Sequence, residues 1–425
     1  MATTIRNNRN GQTDQEAQKS DRGSSGRLRI AYLTTNDPKD RRSWSGTEYQ
    51  MARALEKHCG EVFNVGPLPL FSAKVGKIIQ RGLRLVTGKT YLNTHTISVS
   101  RKLGKMAEEK MAGAACDVIF APAGSVPLAH LHTQIPIVYL SDATHRLMVD
   151  YYVEFSSMLA SSIRSADQIE QLAIRNAKQL IYPSAWAARS AVQDYGANPE
   201  SVHVVPFGAN MDEWPSRERV LEPPPHDKCR MLFVGTNWER KGGEIAFDTL
   251  LAMERLGVPA ELTIVGCRPP ERFHHANLRV IPFLNKNNPQ ERAQLEELYL
   301  KSHFFLLPTR AECFSIALCE ANAYGLPILS THTGGLPELV WEGQNGFLLP
   351  MEARGDQYAA RMLEIYNNPG RYRELKASSR EQFETRLNWD AWGKHVNEIL
   401  RLAVNDSQGM VGSGEFSVSN VAKVG

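Results

Sequence analysis

The sequence predicts an α/β protein made of two doubly wound domains that face each other across a cleft. Three observations carry this. Short apolar runs alternate with helical stretches along most of the chain, the mark of parallel strands covered on both faces. The alternation breaks at residues 215–228, an aperiodic stretch containing Pro223, Pro224 and Pro225, and then restarts. The two halves are similar in size, and 425 residues are enough for two domains that each bury a core.

Taken in order, residues 1–26 are polar, rich in Asn, Gln, Ser and Gly, and are expected to be disordered. A first buried strand is expected at 28–33, then a turn through Trp44, Ser45 and Gly46 and a helix over 47–57. Strands at 117–121, 135–140, 179–182 and 202–206, with helices such as 164–177 and 186–195, complete a first domain over 27–212. A linker over 213–228 leads to a second domain, 229–385, with strands at 230–234, 261–265, 278–282, 304–308 and 327–330. A C-terminal helix is expected within 386–404 and a flexible tail over 405–425.

Composition narrows the class. The chain is 42% hydrophobic and 22% charged with a formal net charge of +3, a globular balance that suggests no nucleic-acid partner. Its six cysteines show no paired CxxC spacing, which argues against a zinc site and a disulfide framework and favours a reducing compartment. The N-terminus lacks the apolar core of a signal peptide, and no apolar run approaches the ~18 residues needed to span a bilayer. A cytoplasmic enzyme is the expectation.

The sharpest signal is the stretch 307–327. It reads as a strand end, a loop over 309–314, and a helix from Ser315 to Tyr324, with Ser315 as N-cap and Gly325 and Pro327 ending it. A helix that opens where a parallel strand ends points free N–H groups and a positive dipole end at the cleft, a ready phosphate site. Glu312 falls at the cleft floor just before the helix, and Glu320 deeper inside it.

Glu312 and Glu320 are followed by Gly325-Leu-Pro, Thr333-Gly-Gly-Leu-Pro-Glu338 and Gly343-Gln-Asn-Gly-Phe347. Upstream stand Phe233-Val-Gly-Thr-Asn-Trp-Glu-Arg-Lys-Gly242, Tyr182-Pro-Ser-Ala and Val205-Pro-Phe-Gly-Ala-Asn210. This ordered set, over roughly residues 28–400, resembles glycosyltransferase family 4, a group of retaining enzymes with the GT-B fold of two Rossmann-like domains facing a cleft. The resemblance implies a metal-independent hexosyltransferase that uses a nucleotide-sugar donor of the UDP-glucose or GDP-mannose type, and no cofactor. Its acceptor would be a glycan, a lipid-linked saccharide or a small metabolite. Glu312 would bind hydroxyls of the donor sugar, and the backbone around Cys313, Phe314, Ser315 and Ile316 the sugar or diphosphate. Glu320 would hold the ribose hydroxyls and Lys241 the diphosphate leaving group. The family often has Arg directly after the Val-Gly of that strand; Thr236 stands there, and Arg240 is the substitute cation. Gly46 and Thr47 match the family's glycine-rich first turn, where backbone approaches phosphate or acceptor closely.

Many relatives carry a His-Asp pair after the strand that 135–140 represents. This chain has Ser141, Asp142 and, three residues on, His145. Asp142 is therefore the candidate catalytic carboxylate, alongside Glu312 and Lys241, with N-cap of a helix over 143–150 as its other reading. His145 is a candidate acceptor-side or catalytic group, or a satisfied structural histidine. No Asp-x-Asp motif is present of the kind that holds a cation to a nucleotide diphosphate, so no metal is expected.

One further segment stands out. From Lys74 to Lys110 there are nine Lys or Arg against Glu108 and Glu109. Val75, Ile78, Ile79, Leu83 and Val86 fall on one helical face, and Lys74, Lys77, Arg81 and Arg84 on another. Such a helix either packs its apolar face into the core or meets an anionic membrane, in which case the enzyme would sit peripherally on the inner membrane face. Other functions fit the same cleft: a glycoside hydrolase with paired carboxylates, a nucleotide-sugar-binding protein without transfer activity, or a nucleotide-sugar epimerase.

Overall fold

The computed structural model describes residues 26–69 and 73–407. The polar N-terminal stretch, apart from Gly26, and the chain beyond Ser407 lie outside the described residues. Asn405 to Ser407 continue the last helix and are not part of a tail.

Six strands form the first sheet: β1 Leu28–Tyr32, β2 Gly60–Asn64, β3 Val118–Pro122, β4 Ile137–Leu140, β5 Gln179–Tyr182 and β6 Val202–Val204. Their order is β2-β1-β3-β4-β5-β6, with every pairing parallel. The second sheet comprises β7 Cys229–Val234, β8 Ala260–Val265, β9 Leu278–Ile281, β10 Phe304–Leu307, β11 Ile328–Thr331 and β12 Gly346–Leu349, in the order β12-β11-β10-β7-β8-β9, again all parallel. In each sheet the chain builds outward on one side and then returns to build on the other. The reversals fall between β1 and β3 and between β7 and β10, and such switch points open a crevice beyond the strands' carboxyl ends.

The period-2 pattern divides the first sheet's core. Ile30, Tyr32, Val118, Phe120, Val138 and Leu140 face one way, while Ala31, Leu33, Ile119, Ala121, Ile137 and Tyr139 face the other. The first of these faces merges with the core of the second domain. The helix Trp389–Ser407 explains this, because it leaves the second domain and packs on the first, against the helix Thr47–His58 and strands β3, β4 and β5. Trp392 is fully buried and meets Phe120 edge-on at 5.9 Å. Gly393 lets the two helices close, with the Cys59 thiol donating to its carbonyl at 3.5 Å. Lys57 and His58 both reach Asp390 at 2.7 Å.

Residues 215–228 differ from a free linker. A short helix, Arg217–Leu221, buries Val220 completely against Gly325, and Arg380 donates to the Pro215 carbonyl at 3.1 Å. Strands β2 and β12 escape a search for apolar runs, since Glu61 and Asn64 interrupt the first and Gly346 opens the second. Both lie at sheet edges, where one side of the strand needs no partner.

Because Trp392 ties the last helix to the first sheet, Trp392→Ala should destabilise the protein by about 3–5 kcal/mol. The midpoint of urea unfolding measures this; an unchanged midpoint would mean that the helix contributes nothing to holding the first domain.

Candidate active site

Two loops leave the second sheet side by side, after β7 and after β10. Thr309 donates its hydroxyl to the Arg240 carbonyl at 3.0 Å, and the Arg310 N–H reaches the same carbonyl at 2.7 Å. These bonds tie the two loops together. Lys241 Nζ hydrogen-bonds directly to the Glu312 carboxylate, and Arg240 lies 3.5 Å from it while donating to the Ala311 carbonyl at 2.9 Å. Glu312 and Lys241 are both buried. On the far side, Gly334 packs on the Glu312 carbonyl with φ +53°, where any side chain would collide with that backbone.

The helix after this loop is Ile316–Ala323, preceded by Ser315 in extended conformation. The Ser315 hydroxyl is buried and without a partner, so it does not cap the helix as the sequence suggested. Among the described residues, the amides of Phe314, Ser315, Ile316 and Ala317 find no acceptor. They are the orphan donors that every helix start exposes, left open at the cleft. Glu320, 1% exposed, accepts from Tyr299 Oη at 3.1 Å and from Lys286 Nζ.

The first domain supplies the opposite wall. Trp44, Ser45 and Gly46 take φ of 45°, 57° and 86°, a left-handed run that turns the chain into the helix Thr47–His58. Glu48 holds the preceding loop by accepting from Thr34 at 3.0 Å, Asn36 at 3.1 Å and Ser43 at 2.9 Å. Asn210 donates to the Ser45 carbonyl at 2.9 Å and to Thr47 Oγ1 at 3.1 Å. Asp142 accepts from the Trp44 indole at 3.3 Å. Burial pushes its carboxyl up to about 6; the Trp44 bond opposes this and the negative charge of Glu312 adds to it. Asp142 is not a helix N-cap: the short helix that follows is His145–Met148, and Thr144 precedes it.

The resulting cleft, about 500 Å³, is of the size that accommodates a small ligand. Gly46, Thr47 and Asp142 line it from the first domain. Arg240, Lys241, Glu312, Phe314, Ser315, Ile316 and Glu320 line it from the second. Two candidates fall elsewhere. Cys313 turns its thiol to Met148 at 3.5 Å, and its amide donates to Tyr152 Oη at 2.9 Å, so neither is available to a donor. His145 is buried outside the cleft lining, with Nδ1 3.0 Å from Asp167 and its ring between His95 and Phe155. Its Nε2 is buried without a hydrogen-bond partner.

The structure also adds residues that the sequence pattern did not single out. Lys286 and Tyr299 arrive at Glu320 from the loop and helix after β9, and only the tertiary fold brings them there. Tyr151 and Tyr152 reach across from the first domain: Tyr151 Oη accepts the Glu312 N–H at 2.9 Å and lies 2.9 Å from the Thr333 hydroxyl. The paired tyrosines at 151–152 were the one available signal.

Residues 228–368 match the family model described as Glycosyl transferases group 1. Among curated relatives, the chain is 28% identical over 240 residues to a D-inositol 3-phosphate glycosyltransferase of Streptomyces bingchenggensis, covering 52% of each chain. It is likewise 28% identical over 207 residues to the Corynebacterium aurimucosum protein of the same name, covering 44% of this chain and 48% of that one. The matches thus span about half the length of these relatives. Solved structures of the same fold include a sucrose-phosphate synthase of Thermosynechococcus elongatus, with TM-score 0.61 and 17% identity over 88% of this chain and 99% of that one. Anabaena Alr3699/HepE, solved with UDP and glucose, gives TM-score 0.57 and 16% identity with the same coverage. The architecture is GT-B. The second domain supplies the cations, Glu312, Glu320 and the open amides, and the first faces them with Asp142 and the Trp44–Thr47 turn.

The raised Asp142 carboxyl has a stability consequence. Between its ordinary value of 3.8 and about 6, the folded protein holds a proton that the unfolded chain has released, so stability falls as pH rises through that window. Asp142→Asn should therefore unfold at the same denaturant concentration as the parent below pH 4. At pH 8 it should be more stable by on the order of 1 kcal/mol, a figure reduced for the part of the side chain open to the cleft. Denaturant titrations at both values decide it.

Proposed function

We propose that the chain is a retaining, metal-independent hexosyltransferase acting on a nucleotide diphosphate sugar. The observation that carries this is the convergence of Lys241, Arg240 and the open amides of the Ile316–Ala323 helix on the cleft floor, beside two buried carboxylates. A diphosphate suits the first set, and its developing charge on departure is stabilised there without a metal. Glu312 and Glu320 are acceptors suited to sugar and ribose hydroxyls respectively. As the bond to the anomeric carbon breaks, the sugar takes on oxocarbenium character, and the acceptor oxygen attacks from the face the phosphate leaves. The departing phosphate oxygen takes the acceptor's proton. Asp142, on the wall opposite Glu312, orients the acceptor hydroxyl.

A UDP-sugar is the donor to test first, since Anabaena Alr3699/HepE was solved with UDP and glucose and a Staphylococcus aureus TarM mutant with UDP; a GDP-mannose type donor is the alternative. The relatives' names point to a phosphorylated polyol as a first acceptor. A reducing, cytoplasmic compartment belongs to the same reading and agrees with six unpaired cysteines.

The two carboxylates should separate in assay. Glu312→Gln should lower kcat by about 10²-fold and leave the nucleoside diphosphate Kd within about threefold, because its partner is the sugar. Glu320→Ala should weaken nucleotide binding by about tenfold or more. Equal effects of both changes on nucleotide affinity would refute this division. Activity should persist in EDTA; a loss restored by magnesium or manganese would refute the metal-free mechanism. Donor consumption that needs no acceptor would identify a hydrolase instead, and a changed free sugar nucleotide an epimerase.

A further inference from the structure

The basic amphipathic segment is a helix, Ala73–Thr87, and four of its apolar residues, Ile78, Ile79, Leu85 and Val86, are exposed, while Leu83 is half-buried. Gly76 is buried against Asn93, where a Cβ would collide with the asparagine side chain, so that side of the helix faces the body of the protein. With 100° per residue, Ile78, Ile79, Leu85 and Val86 share another arc. They are 69%, 47%, 88% and 86% exposed. Single exposed apolar side chains are ordinary, but four on one arc of one helix mark a contact surface. Arg81 borders this arc beside Leu85, and Arg84 lies about 60° farther round on the same flank; both are exposed. Between Glu61 and Glu108 the sequence holds no Asp or Glu, while Lys89, Arg101 and Lys105 add further positive charge.

We propose that this helix lies in the interface of an anionic phospholipid bilayer, with Ile78, Ile79, Leu85 and Val86 in the acyl boundary and Arg81 and Arg84 on lipid phosphates. The chemistry selects this occupant over two others. A nucleic acid offers no apolar layer for Leu85 and Val86. A second copy docked through the same face would bring Arg81 and Arg84 of both copies together, and the helix and the chain around it, from residue 62 to 107, hold no carboxylate to relieve the repulsion. The contact is peripheral, since no described helix is long and apolar enough to cross a membrane. It is also connected to the cleft. Just past the helix, the Thr90 N–H donates to the Ser157 carbonyl at 2.9 Å, and the Leu159 N–H donates to the Thr90 carbonyl at 2.9 Å. The loop so anchored carries Tyr151 and Tyr152, which hold the Glu312–Cys313 backbone. The proposal stands whether or not the cleft transfers a sugar.

The test is cosedimentation of the full chain with vesicles of phosphatidylglycerol and phosphatidylcholine, or of phosphatidylcholine alone, at low and high salt. Binding to the anionic vesicles should exceed that to neutral ones by at least about tenfold at low salt and weaken as salt rises. Ile78→Ser, Leu85→Ser and Val86→Ser combined, and separately Arg81→Glu with Arg84→Glu, should each lower it by about tenfold or more with unchanged thermal unfolding. A tryptophan introduced by Leu85→Trp should be quenched by brominated anionic lipid beyond the wild-type background. No binding to anionic vesicles at low salt would overturn the proposal. So would binding that survives the triple serine variant, which would make the attraction Coulombic without insertion. A concentration-dependent dimer abolished by that variant, with no vesicle binding, would assign the face to a second copy.

Discussion

A carboxylate that gives up most of its water must find cations close by, and Glu312 finds Lys241 and Arg240. Much of the second domain's loop structure serves that requirement. The two cations come from the loop after β7 and the carboxylate from the loop after β10, so the strands must be neighbours in the sheet although about seventy residues separate the paired side chains. Parallel pairing sends both loops out at the same end. Thr309 and Arg310 then bind the Arg240 carbonyl, Gly334 closes on the Glu312 carbonyl, and the next helix starts with its amides free. The ion pair thus marks the floor of the cleft and aligns the donors around it.

The first domain is held against this floor by aromatic and polar contacts from separate parts of the chain. Phe207 meets Phe314 at 5.1 Å and stacks on Trp389 at 6.2 Å, which joins the end of the first domain, the loop after β10 and the last helix in one cluster. Asn210 extends it, accepting from the Trp389 indole at 3.0 Å while fixing Ser45 and Thr47. On the opposite flank, Tyr151 and Tyr152 take the amides of Glu312 and Cys313. Backbone groups that must be satisfied when buried are met by hydroxyls of the other domain, which couples the relative position of the domains to the geometry of the Glu312 loop.

The site was legible where local chain geometry decides function. A strand end, a short loop and a helix start within 307–327 can be read in order, and they place Glu312 and the open amides without reference to the rest of the chain. Legibility failed where a side chain's direction matters. Cys313 sits between two cleft residues and points to Met148; His145 follows Asp142 closely and is captured by Asp167 of the helix Ala160–Asn176. Ser315 has the identity of an N-cap but leaves its hydroxyl unpaired. In each case the neighbours that orient the group are distant in sequence, so spacing carries no information about them.

By itself the sequence determined the two α/β domains, the break between them and the position of the helix start at Ser315, because strand burial, turn residues and helix ends leave periodic and local marks. Only the tertiary structure decided the rest. The last helix returns to the first domain because Trp392 and its neighbours match the face that β3 and β4 leave uncovered. Lys286 and Tyr299 reach Glu320 because β9 and the following helix pass beside it. The amphipathic helix at 73–87 shows its apolar arc outward, although the same pattern would have suited burial; Gly76 pressed on Asn93 settles which side faces the protein. A helical pattern fixes what lies on one face, whereas the surroundings that face meets depend on contacts between residues far apart in the chain.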